Sequence, residues 1–267
     1  MDLIQLLGYF LAILIGLTLG LIGSGGSILT VPILVYLLAI EPVLATAYSL
    51  FIVGITALVG LIRNIPKKQV DFKTGIIFAI PAFFAVYITR KYLLPAIPES
   101  LFFIDDFEMT KNIAIMVFFA IIMLLAAVSM IRNNRKEEGV ENAQALKFNY
   151  PLIIIEGIVV GVLTGLVGAG GGFLIIPALV LLAKLPMKKA VATSLMIIAV
   201  KSLIGFIGDV QNLEMDWAFL LSFSGFSVVG IFIGIFLNQW IDGKKLKTAF
   251  GWFVLLMAAY ILIKEFS

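Results

Sequence analysis

The 267-residue chain contains no cysteine and no histidine. Disulfides, thiolate zinc sites, iron–sulfur clusters and histidine-ligated haem are excluded, as is acid–base chemistry through an imidazole. No cofactor and no bound metal is expected. Charge is also scarce. Asp, Glu, Lys and Arg make up 13% of the residues, and loop lysines account for the net +3, so nucleic acid is not an expected partner. The start, Met1-Asp2-Leu3-Ile4-Gln5, has no basic segment, and no small-residue cleavage site follows. It reads as the first helix of the mature protein rather than a signal peptide. The apolar runs lack the alternation of a membrane strand.

Apolar length dominates instead. Hydrophobic residues make up 62% of the chain and the mean hydropathy is +1.14. Several apolar stretches of 18 or more residues indicate an all-α polytopic membrane protein with the lipid bilayer as its surroundings. Helical segments are expected at 3–22, 27–40, 43–63, 72–93, 112–131, 150–167, 172–184, 187–207, 217–241 and 247–265. This gives a first transmembrane repeat over 1–131, a cytoplasmic linker over 132–149 and a second transmembrane repeat over 150–267, with five segments in each repeat.

The two halves carry one pattern at an offset of 145 residues. Gly20, Gly23, Ser24, Gly25, Gly26 and then Pro32 return as Gly165, Gly168, Ala169, Gly170, Gly171 and then Pro177. Between 20–72 and 165–217, 19 of 53 positions are identical. Equivalent loops carry opposite charge. The 63–73 loop holds Arg63, Lys67, Lys68 and Lys73, whereas its mate 208–218 holds Asp209, Glu214 and Asp216; Lys184, Lys188 and Lys189 face a mate with only Glu41. Placing 63–73, 132–149, 184–189 and 242–247 inside gathers 14 of the 19 basic residues there. Glu99 to Glu108 and both termini then fall outside. Opposite bias in equivalent loops is what two inverted-topology repeats require.

Each glycine cluster interrupts an apolar run. The arms that follow, 27–40 and 172–184, rise only about 20 Å at 1.5 Å per residue, short of a roughly 30 Å hydrocarbon core. A Gly-broken helix hairpin is therefore expected to open each repeat, a tilted full span being the alternative. Two helix starts, near Ser27 and near Gly172, would aim their N–H groups at the bends, an anion-binding arrangement when inverted halves bring them together. The alternative role for glycine is close helix packing, since Gly16-xxx-Gly20 and Gly161-xxx-Gly165 are also small-xxx-small motifs. No Gly-Lys-Ser/Thr follows, so a P-loop is excluded.

Candidate substrate-binding residues are Gly23, Ser24, Gly25, Gly26 and Ser27 in the first bend and Gly168, Gly170, Gly171 and Gly172 in the second. The mates Ser49 and Ser194, and the mates Thr56 and Lys201, are added from the following helices. Lys201 lies near mid-helix, where an unpaired cation is costly, and it suits an anionic substrate; pairing with an acid or snorkelling are the alternatives. Glu156 is a candidate for carrying a coupling proton, with pairing to Lys201 or a place at the inner interface as the alternatives. Ser49 and Ser194 can bond a substrate oxygen, a glycine bend or their own helix backbone. Asp71 and Asp216 suit helix N-caps. Gly230-xxx-Gly234 could serve internal packing or a homodimer.

Repeated G-x-x-G-x-G-G followed by proline, then A-x-x-x-S-L, then a closing Val70-Asp71-Phe72 or Met215-Asp216-Trp217, resembles the TauE/SafE-type sulfite exporter family. That family is also called the toluene sulfonate uptake permease group and was formerly a domain of unknown function. The resemblance covers essentially the whole chain and is clearest at 16–72 and 161–217. It implies movement of small sulfur-containing or organic anions such as sulfite, sulfonates or sulfoacetate, driven by a proton gradient across a prokaryotic cell membrane. The two copies differ at Ser27 against Gly172 and at Tyr48-Ser49 against Thr193-Ser194, and Lys201 is not part of the shared pattern. The expected function is a secondary anion transporter, with a cation or metal-ion channel or transporter as the rival. An enzyme is not expected. A rhomboid-like protease lacks its histidine. The aspartyl-protease resemblances at Gly208-Asp209 and Pro177-Ala178-Leu179 stand in the wrong order.

Overall fold

The computed structural model describes residues 3–23, 26–104, 107–132, 150–181, 183, 185–238, 240 and 243–266. Ser24, Gly25 and most of the expected linker lie outside the described residues. The first half runs α1 (Leu3–Ile22), α2 (Ser27–Pro32), α3 (Pro42–Asn64), α4 (Phe72–Ile88), α5 (Leu94–Ala96) and α6 (Lys111–Arg132). The second half runs α7 (Tyr150–Val167), α8 (Gly172–Leu181), α9 (Met187–Val210), α10 (Trp217–Leu237) and α11 (Gly243–Phe266). Among the described residues, five helices are long and apolar enough to cross a membrane: Pro42–Asn64, Phe72–Ala96, Lys111–Val128, Lys188–Val210 and Trp217–Leu237.

Local chemistry sets the ends. Asp71 and Asp216 each accept from the N–H three residues on, Thr74 at 2.9 Å and Phe219 at 3.0 Å, and so cap α4 and α10 as expected. Pro42 opens α3 at a position where its missing N–H costs nothing. Pro32 withdraws a donor from α2, and the next turn, Ile33–Leu37, widens to π-helix. The backbone repeats its hydrogen bonds at the 145-residue offset. Gly23 and Gly168 donate to Leu19 and Thr164, Leu38 and Ala183 to Ile33 and Ala178, and Ile40 and Leu185 to Leu34 and Leu179.

Several boundaries differ from expectation. The short arms are shorter still, ending at Leu37 and Leu181; α9 continues to Val210, and α10 stops at Leu237. The 94–111 stretch, expected to be loop, contains an antiparallel hairpin of β1 (Ser100–Ile104) and β2 (Phe107–Thr110). Aromatic and apolar residues at Phe102, Phe103, Ile104, Phe107 and Met109 supply its strand propensity.

The repeat mates α3 and α9 pack against each other at the centre, with 72% of each span buried against 39–50% for α4, α6 and α10. They run antiparallel: Gly54 lies against Leu203 and Gly60 against Leu195. Around them α1 runs parallel to α10, with Gly16 against Ser227 and Gly20 against Ile231. In the same sense α7 runs along α4, with Gly157 against Phe78, Gly161 against Ala82 and Gly165 against Thr89. The remaining mates, α6 and α11, pack together. Ile76, Ile80 and Phe84 on α4, Leu221, Phe232 and Phe236 on α10, and Leu256 and Ile263 on α11 are exposed, an apolar belt of the kind that faces acyl chains.

Candidate functional site

The two glycine bends end α1 and α7 and turn the chain into α2 and α8. At the mates Gly23 and Gly168 the backbone has φ of +77° and +71°, a conformation that glycine adopts without a steric penalty. Each of these glycines presses on the helix two elements later in the other half, Gly23 on Val191 of α9 and Gly168 on Thr46 of α3. Val191 and Thr46 are themselves repeat mates. Across the centre, a Cβ at Gly170 would stand 3.1 Å from Ser27 Cβ and 2.8 Å from Val53. The second bend therefore lies against the start of α2, and candidate residues of both bends come together.

Lys201 projects from mid-α9 and is completely buried. Its Nζ donates to Thr164 Oγ1 at 2.8 Å. A Cβ at Gly171 would stand 2.8 Å from the same nitrogen, so the amine lies at the start of α8. Leu174 and Ile175 in the opening turns of α8 donate to the Gly171 carbonyl, and the positive end of the helix adds to the lysine there. Among the described residues no carboxylate lies within ion-pair distance of Lys201. Thr164 also lines a narrow apolar pocket with Ile122, Leu163, Val167, Ala169 and Leu174.

The mate of Lys201, Thr56, is equally buried but engaged differently. Its hydroxyl donates to the Ile52 carbonyl at 2.6 Å and lies 3.0 Å from Ser227 Oγ. Ser194 donates to the Val191 carbonyl at 2.8 Å, with the Gly23 carbonyl at 3.5 Å, so the helix-backbone role holds and the bend is its second neighbour. Ser49 Oγ is buried without a partner among the described residues, and the hydroxyls of Thr30 and Ser202 share that state. Gly26 abuts Thr18 and the backbone of α1, and Gly172 begins α8.

The pairing of Glu156 with Lys201, one of the roles open to it, is not formed. Glu156 lies eight residues before Thr164 on α7, about 12 Å of helix rise, too far for its carboxylate to reach the amine. It is half-buried, and its Oε2 has no partner among the described residues. The small-xxx-small stretches face inward: Gly230 and Gly234 press on Ile13 and Leu17 of α1. They are used in internal packing rather than left open for a second copy.

Three features went unread in the sequence. Thr164 is the acceptor for Lys201; a lone hydroxyl one residue before Gly165 was the available signal. Tyr48 and Thr193, mates beside the two serines, accept from the N–H groups of Asp216 (2.8 Å) and Asp71 (2.9 Å), tying each central helix to the N-cap of a neighbour. Arg90 and Asp209 form a buried ion pair, Nε to Oδ2 at 3.4 Å, between α9 and the π-helical turn Thr89–Leu93 that continues α4. Among the described residues no three His, Cys, Asp or Glu side chains gather.

Known proteins place this arrangement. The family model described as "Sulfite exporter TauE/SafE" matches residues 9–262. The chain is 28% identical over 265 residues to the probable membrane transporter protein YunE of Bacillus subtilis (strain 168), covering 90% of this chain and 92% of that one. It is 26% identical over 257 residues to a probable membrane transporter protein of Xylella fastidiosa (strain 9a5c), covering 95% and 93%. A probable membrane transporter protein of Methanocaldococcus jannaschii is also 26% identical, over 275 residues and 95% of each chain. No solved structure gives a significant match. The end-to-end match, on a chain of apolar helices with a polar centre, makes this a membrane transporter that belongs to the TauE/SafE sulfite exporter family.

Proposed function

We propose that the chain is a secondary transporter of small anions of the sulfite, sulfonate or sulfoacetate type, working by alternating access between two inverted-topology repeats. The observation that carries this reading is the surroundings of Lys201. A completely buried amine meets one neutral hydroxyl, no described carboxylate and the start of α8. A cationic group held this way at mid-depth is satisfied by an anion, and Ser49, Ser202 and Thr30 carry buried hydroxyls without a partner among the described residues. The substrate-binding set is Gly23, Gly26, Ser27, Ser49, Thr56, Gly168, Gly170, Gly171, Gly172, Ser194 and Lys201, with Ser24 and Gly25 completing the first bend.

Antiparallel packing of the mates α3 and α9 supports inversion. A two-fold axis that relates two touching, antiparallel helices lies across them, in the plane of the membrane, whereas parallel repeats would set the mates in one sense. The basic loops then place 63–73 and 184–189 in the cytoplasm, and the β1–β2 hairpin and both termini outside the cell membrane. Glu156, with a buried and unpartnered carboxylate oxygen, is the proposed carrier of a coupling proton.

The test is a thermal-shift screen of purified protein against sulfite, sulfate, thiosulfate, sulfoacetate, taurine and small carboxylates, with monovalent and divalent cations as controls. One anion class should raise the melting temperature by mass action, and Lys201→Ala should lose that shift while it still folds. Stabilisation by cations alone would refute the reading and put a cation channel or metal transporter in its place.

A further inference from the structure

Another buried cation lies away from Lys201. Arg90 is completely buried, and Asp209 is almost so. An arginine offers five N–H donors in a planar fork and keeps its charge. Here the fork meets one carboxylate oxygen at 3.4 Å, beyond good hydrogen-bond length, and Nε, Nη1 and Nη2 have no hydrogen-bond partner among the described residues. A buried guanidinium normally finds bidentate oxygen acceptors, so most of this donor set is unused. The backbone around it is also irregular: Arg90 stands in a π-helical turn, a geometry that recurs at functional sites.

Position gives the pair its meaning. Asp209 lies eight residues beyond Lys201 on α9, about 12 Å along the helix. Between them Gly205 packs against the side chains of Val86 and Leu50, and a Cβ at Gly208 would stand 3.1 Å from Arg90 Cβ, so α9 approaches α4 closely along that stripe. The repeat mates of Arg90 and Asp209 are Ile235 and Asn64, so the opposite end of the molecule has no such pair.

We infer that Arg90 is a second anion-binding residue, buried near the far end of α9 from Lys201, which takes a small oxyanion head bidentately while Asp209 holds the fork in the absence of an anion. The inference rests on the anion-transporter reading above. Asp209 is then a competitor for the fork, and an entering anion displaces it.

The experiment is sulfite titration of full-length purified protein by calorimetry at constant ionic strength, in the parent and in a Lys201→Ala background. Asp209→Asn removes the competing charge and should tighten sulfite binding about tenfold, as expected for a unit charge removed within a few ångströms. The binding should persist in Lys201→Ala/Asp209→Asn and vanish when Arg90→Gln is added. Should Asp209→Asn fail to fold, Arg90→Lys serves. It keeps the charge and loses the fork, and should raise the KM for sulfite uptake into proteoliposomes about fivefold with the maximal rate kept. A parent that binds sulfite through Lys201, with Asp209→Asn unchanged in both backgrounds or Arg90→Lys unchanged in KM, overturns this inference alone. A parent that binds no anion overturns the transporter reading with it.

Discussion

Gly171 is where backbone and side-chain demands coincide, and Gly171→Ala measures both. The residue has φ of +62°, where an L-residue costs about 1–2 kcal/mol. A Cβ there would also overlap Thr164 Cγ2 and stand 2.8 Å from Lys201 Nζ. Overpacking of this kind costs about 1–3 kcal/mol. The two contributions together give roughly 2–5 kcal/mol, a fall of roughly 4–20 °C at about 2–4 °C per kcal/mol. Thr164→Ser separates them. It removes the offending methyl and keeps the hydroxyl that accepts from Lys201, so the double variant should recover the overlap share and retain the backbone share. Gly172→Ser is the control. Its mate is Ser27, whose side chain is accommodated in full burial, so the cost should stay within about 1 kcal/mol. The assay is thermal unfolding of detergent-purified protein followed by intrinsic fluorescence. Gly171→Ala with the parent's melting temperature, or a double variant no more stable than the single, would refute the argument.

Other outcomes follow from the same contacts. Thr193→Val removes the acceptor for the Asp71 N–H and should cost about 1–3 kcal/mol, read as a lower melting temperature, with Tyr48→Phe giving a similar loss at Asp216. Asp216→Ala removes the N-cap of α10 and should cost about 1 kcal/mol, whereas Asp216→Asn should cost less because it still caps. Gly16→Val drives a side chain into the Ser227 backbone, and the loss of the α1–α10 seam should appear as loss of the monodisperse peak in size-exclusion chromatography. Lys201→Met keeps the length and apolar stem of lysine; it should fold at least as stably as the parent and show no sulfite-dependent shift in the thermal screen.

Helix positions were legible because a membrane span announces itself by apolar length, and because Asp71, Asp216 and Pro42 are local signals that act within a turn. The doubled glycine pattern located both bends, since a positive-φ backbone inside an apolar run leaves few other residue choices. Lys201 was legible through its depth in the helix. Its partner was not: Thr164 looks like any helical hydroxyl that bonds its own backbone, and only the crossing of α7 with α9 brings it to the amine. Asp209 was read as a loop charge and Arg90 drew no reading, because such residues near helix ends are usually hydrated, and nothing in either half says that the other half buries them. The Glu156–Lys201 pairing failed on a register that sequence cannot supply, two helical turns along α7. The β1–β2 hairpin escaped because short strands between long apolar spans leave little periodic signal.

The two short arms have an electrical consequence. Ser27–Leu37 and Gly172–Leu181 are 11 and 10 residues long, about 15–17 Å at 1.5 Å per residue, roughly half the thickness of a hydrocarbon core. When water reaches a bend from either face, the insulating layer along that axis is the short stretch between the bends rather than the whole bilayer. The membrane potential then falls across a few ångströms, and the full electrical work of about 2.3 kcal/mol per charge per 100 mV is done in that interval. A bound ion that shifts by less than the length of its own side-chain contacts would move a complete charge through the field. Large rearrangements of the surrounding helices would register almost no current.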